Sequence, residues 1–104
     1  MDPQSFQLKA LIETIEEPWS PIDVVEFNDS IVRLAKFEGE YHWHSHEQED
    51  ELFMVVEGSI TIQLEGHDDI FLQEGQMGVV PKGVQHCPKS EGAYVLMFEP
   101  KSIS

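Results

Sequence analysis

Cysteine is nearly absent: Cys87 is the only one in 104 residues. A single thiol cannot close an internal disulfide, so nothing in the chain requires an oxidising compartment. Basic residues are scarce as well. Six Lys and Arg stand against twenty Asp and Glu, for a formal charge of −14. Such a surface repels phosphate backbones and anionic lipid heads, which argues against nucleic acid and membranes as partners and favours solubility. Long hydrophobic runs are missing too. Nothing approaches the roughly 20 apolar residues of a membrane helix. Met1 to Ala10 has no basic start followed by an apolar stretch, so no secretory signal is expected and a cytoplasmic location is the default. The length fits one domain over residues 1–104, with a thin core. A sheet closed into a small barrel suits that limit.

What is present divides into an arm, residues 1–20, and a barrel, residues 21–100. Ser5 to Ile15 reads as a short helix, with Leu8, Leu11, Ile12 and Ile15 on one stripe. Pro18 and Pro21 stop it. Beyond Pro21 come short strands separated by turn residues. The candidates are 22–27, 31–37, 41–46, 51–57, 59–65, 70–73, 76–80, 86–89 and 93–100. Gly58 reads as a turn between two of them. That many short strands predicts an all-β sandwich or barrel.

Two strands are apolar on both faces: Leu52 to Val56, and Tyr94 to Phe98. A half-wet antiparallel sheet would alternate instead. The barrel interior covers one face. The arm or a second subunit must cover the other, and a homodimer is expected.

Tyr41-His42-Trp43-His44-Ser45-His46 is the most informative stretch. Strand parity puts residues 42, 44 and 46 on one face. Three imidazoles there add little to packing but are good donors for first-row divalent ions. Past the acidic turn Glu47-Gln48-Glu49-Asp50, Glu51 can return a carboxylate towards the histidines. Phe53 and Val55 share its face. Further on, Gly75, Pro81 and Gly83 lead to another histidine, His86.

These residues resemble the cupin superfamily. Its first motif is matched by Gly39, His44-Ser45-His46, Glu51 and Gly58, and its second by Gly75, Pro81, Gly83 and His86. Gly39 lies one residue too close to His44, and Ser90 stands where the motif has Asn. The resemblance covers roughly residues 31–99. Residues 43–53 and 79–86 look like the small prokaryotic cupins labelled mannose-6-phosphate isomerase-like, a label that reflects fold and not reaction. The resemblance implies a double-stranded β-helix (jelly-roll) barrel with a short helical arm. It also implies one divalent transition metal (Fe, Mn, Ni, Co, Cu or Zn) on His44, His46, Glu51 and His86.

Alternatives stay open. His42 could replace His46, and Glu47 or Glu49 could replace Glu51. His67 sits in a hairpin loop and reads as exposed. Cys87 should face away from His86, with no base to activate it. Tyr41, Trp43, Phe37, Phe53, Met77 and Phe98 are candidates for the cavity wall or the core. The expected function is a metalloenzyme, such as an isomerase, lyase or dioxygenase, acting on a small sugar-like or oxygenated molecule. The alternative is a non-catalytic module that binds metal or a small ligand. An acid or base in the cavity that is not a ligand separates the two; His42, Glu47 and Glu49 at the rim are candidates.

Overall fold

The apolar stripe of the arm does form a helix, but a short one. In the computed structural model, which describes residues 2–102, α1 runs only over Leu8–Ile12. Gln7 supplies no side-chain cap. At the other end the Thr14 hydroxyl donates to the Leu11 carbonyl at 2.7 Å, in competition with a further turn. One helical turn is not stable alone. Burial holds it: Ile12 and Ile15 pack on Val32, Leu34 and Leu96. Each such side chain contributes about 1.5–3 kcal/mol when taken out of water. The arm therefore covers much of the outer face of the two-sided strands.

The strands are β1 (Ile22–Phe27), β2 (Ser30–Glu40), β3 (Glu51–Leu64), β4 (Ile70–Gln73), β5 (Met77–Val80) and β6 (His86–Pro100). They pair antiparallel in the order β1-β2-β6-β3-β4, with β5 on the first part of β3. The result is an all-β barrel with a short N-terminal helical arm. Among the described residues, no helix is long and apolar enough to cross a membrane.

Two expected breaks are bends inside long strands. Residues 51–57 and 59–65 were expected as separate strands, as were 86–89 and 93–100, but each pair is continuous. Gly58 has φ +84° and faces Gly92, and a Cβ at Gly58 would lie 2.4 Å from the Gly92 carbonyl oxygen. Only glycine permits that backbone approach, so β3 and β6 bend together there and the register shifts. Ser90 ties the bend: its hydroxyl donates to Ser59 O at 2.6 Å and accepts from Gly92 N–H at 3.0 Å.

A third expectation fails. Residues 41–46 are not a strand; only His44 makes an isolated bridge, to His86. The segment leaves β2 past Gly39, at φ +86°, and follows the 83–88 segment irregularly. The interior core is formed by inward residues such as Phe37, Phe53, Val55, Ile62, Val95 and Met97.

Candidate metal centre

Backbone pairing brings three histidines together. His44 N–H donates to His86 O at 3.0 Å, and His86 N–H donates back to His44 O at 2.8 Å. Gly83 N–H donates to His46 O at 2.9 Å, which fixes the next residues of the same segment. The ring centroids of His44 and His86 then lie 4.3 Å apart, and those of His44 and His46 5.2 Å apart. Glu51 opens β3, pairs with Val80 and is buried.

Two of the three rings are oriented from behind. His86 Nδ1 is 2.8 Å from Val84 O, and His44 Nδ1 is 2.9 Å from His42 O. A carbonyl oxygen only accepts, so the proton sits on Nδ1 and the Nε2 lone pair is free. Nε2 of His86 is buried without a hydrogen-bond partner among the described residues. Glu51 Oε1 is 3.7 Å from it and 3.6 Å from His46 Nε2, beyond hydrogen-bond length. A buried, unpartnered nitrogen costs about 1–3 kcal/mol. One donor atom from each of His44, His46, Glu51 and His86 lies within 4.8 Å of the others. The orphaned nitrogen and the three-imidazole, one-carboxylate donor set both fit a divalent transition ion better than Mg²⁺ or Ca²⁺.

Electrostatics keep the donors in their binding forms. Burial opposes ionisation of Glu51, but His86, Glu99 and His46 outweigh it and hold the carboxyl below its ordinary range. Burial pushes the His44 imidazole down, towards neutrality.

His44, His46 and Glu51 line a cavity of about 340 Å³ inside the barrel, with His86 buried behind them. Phe37, Tyr41 and Phe53 line it, as the sequence suggests. Trp43, Met77 and Phe98 are not among its lining residues. Trp43 is 48% exposed. Met77 pairs with Met54 on the outer face and is 53% exposed. Phe98 packs under the arm with the outer cluster. His42 reaches the rim and stacks on Tyr41 at 3.9 Å, but lies outside the four-residue cluster. Glu47 accepts the Ser45 hydroxyl at 2.6 Å, and Glu49 accepts that of Ser102 at 3.1 Å; neither joins the cluster. His67 is exposed. Cys87 is buried, and burial, with Glu40 nearby, raises its thiol pKa.

Glu99, Arg33 and Trp19 are among the lining residues that the sequence reading does not name. Glu99 is buried. Its carboxyl is pushed up to about 8 by burial and then by neighbouring Glu51, against the pull of Arg33. Arg33 Nη1 donates to Glu99 Oε1 at 2.7 Å, and its Nε donates to Asp23 Oδ1 at 3.0 Å. Parity held the signal for two of them: Arg33 shares a face with Ala35 and Phe37, and Glu99 with Val95 and Met97. A charge of each sign stands on an inward face of two adjoining strands. Trp19 had no such signal, because it reaches the cavity from the arm.

A family model for the cupin domain matches residues 30–98. The chain belongs to the cupin family. The cupin is 37% identical over 83 residues to the uncharacterized protein YdbB of Bacillus subtilis, covering 80% of this chain and 74% of that one. A solved cupin-2 domain-containing protein from Shewanella frigidimarina is 37% identical with a TM-score of 0.88, covering 92% of this chain and 94% of that one. Protein NMB1881 from Neisseria meningitidis is 31% identical with a TM-score of 0.86, over 94% of this cupin and 100% of its own chain.

Proposed function

We propose that this cupin holds one divalent transition ion (Fe, Mn, Ni, Co, Cu or Zn) on His44, His46, Glu51 and His86, and that it is a metalloenzyme acting on a small oxygenated molecule. The observation that carries the metal reading is the orphaned, buried Nε2 of His86 among three other donors. Three neutral imidazoles and one carboxylate leave a divalent ion with net positive charge, which would polarise a substrate oxygen or acidify a bound water. The enzyme reading is supported by Glu99. It is a buried carboxyl in the same cavity, outside the ligand set, and suited to hold or move a proton. The 2.7 Å Arg33–Glu99 pair favours the second reading, a non-catalytic binding module in which Glu99 is structural.

Cytoplasmic residence and a homodimer belong to the same proposal. The single thiol supports the first. For the second, among the described residues β5 pairs only with β3, and it carries Met77 and Val79 at 53% and 49% exposure, an open apolar edge that a second copy would cover. Elemental analysis with light scattering tests these points on one sample. The expected result is about one equivalent of transition metal per chain and a mass twice 11.9 kDa. His44→Ala with His86→Ala should remove the metal; unchanged metal content would sink the ligand assignment, and a monomer would sink the dimer.

A further inference from the structure

The arm does more than cover the outer face. Past Ile15 it turns over the barrel and places Trp19 in the wall of the metal-site cavity. Trp19 has φ +61°, a left-handed conformation that a bulky side chain adopts at a cost of order 1–3 kcal/mol. Three contacts impose it. Trp19 N–H donates to Lys36 O at 2.9 Å, Pro18 bridges to Lys36, and the indole N–H donates to Glu38 O at 2.9 Å. Covering the outer face needs only Ile12 and Ile15; it does not need a strained tryptophan beyond them.

Trp19 completes an aromatic wall. Its ring centroid lies 4.5 Å from Phe37 and 4.8 Å from Tyr41, the latter near-parallel at 29°. All three line the same cavity as His44, His46 and Glu51. At about 340 Å³ the cavity is at the small end of the range for small-molecule sites. Arg33 is the one Lys or Arg among the described lining residues, and Asp23 and Glu99 already pair with it. The wall thus offers no unpaired Lys or Arg to a phosphate.

Resting on the metal reading above, we propose that Trp19 is a specificity residue. With Phe37 and Tyr41 it receives the flat ring of a ligand whose oxygen donors face the metal, so the substrate class is a small ring compound bearing chelating oxygens. An edge-to-face or offset contact with such a wall favours an aromatic over a methyl substituent by up to about tenfold in affinity.

The test uses cobalt(II)-loaded protein, with benzohydroxamate and acetohydroxamate as probes that share one chelating head. Their dissociation constants are read from the cobalt absorption. Benzohydroxamate should bind about tenfold more tightly in the wild type. In Trp19→Gly, which keeps the backbone conformation available, the ratio should fall to about threefold or less with cobalt stoichiometry unchanged. Tyr41→Ala should lower the ratio in the same way and leaves the arm's anchors in place. Equal affinities in the wild type, or a ratio unchanged in both variants, would overturn the proposal while the metal reading stands. Failure of the wild type to take up cobalt would overturn both.

Discussion

Two faces of the same strands have nearly the same composition and different fates. On β3, Met54 and Val56 point outward, while Glu51, Phe53 and Val55 point into the barrel. On β6, Leu96 and Phe98 point outward, while Val95, Met97 and Glu99 point inward. The outer face packs under Ile12 and Ile15 and contributes burial. The inner face gives up part of that gain at one end to enclose polar groups: His86, Glu51 and Glu99 are all buried. Buried polar groups cost free energy unless they are partnered, and His86 Nε2 is not. The difference shows which face is shaped by chemistry. Apolarity alone does not distinguish the two; the carboxylates, imidazoles and guanidinium among the apolar side chains do.

The largest expected effect breaks the inner face alone. As pH falls through the imidazole range, protonated histidines stop ligating and the metal should be released, completely by about pH 4. Burial depresses His44, so this imidazole resists protonation longer than an exposed histidine. Metal retained in full at pH 4 would contradict a histidine-rich site. Far-ultraviolet circular dichroism on the same samples checks that release precedes unfolding.

Ile12→Ala acts on the outer face. Loss of this buried side chain should lower unfolding free energy by about 2–4 kcal/mol in urea titration, with metal content unchanged. A fall in metal content at full folding would show that the two faces are coupled.

Glu99→Gln sharpens the boundary from the inner side. The folded carboxyl titrates near 8, above its ordinary 4.5. The folded state therefore binds more protons than the unfolded state between those values. Glu99's contribution to the stability of the metal-free wild type is fully present below about 4.5 and is lost as pH rises through about 8. The Gln variant should lack that decline. Parallel pH profiles for the two proteins would show that Glu99 is already ionised in the fold.

Much of the site was legible because it depends on spacing. His44 and His46 lie two apart, Glu51 follows a short acidic turn, and His86 follows Pro81 and Gly83. Phe53 lines the cavity, as parity with Glu51 implies, whereas Val55 shares the inward face but packs in the core without lining the cavity. The expected strand over 41–46 failed although its histidines converge, because a single bridge at His44 is enough to hold them. Gly58 read as a turn because a glycine between apolar runs signals one; its contact with Gly92 is made 34 residues away in the chain and has no local trace. Phe98 and Met77 were placed by being large and apolar, which does not tell inside from outside. Glu99 and Arg33 could have been found by extending parity to β2 and β6. Trp19 could not, since its place depends on how the arm crosses the barrel.

The most direct measurement is anomalous diffraction, at the absorption edge of the bound metal, from crystals of the metal-loaded protein. The account predicts one strong peak per chain bonded to His44, His46, Glu51 and His86, with the imidazoles ligating through Nε2 at His44 and His86. A peak elsewhere, or one bonded through His42, Glu47 or Glu49 in place of these ligands, would contradict it.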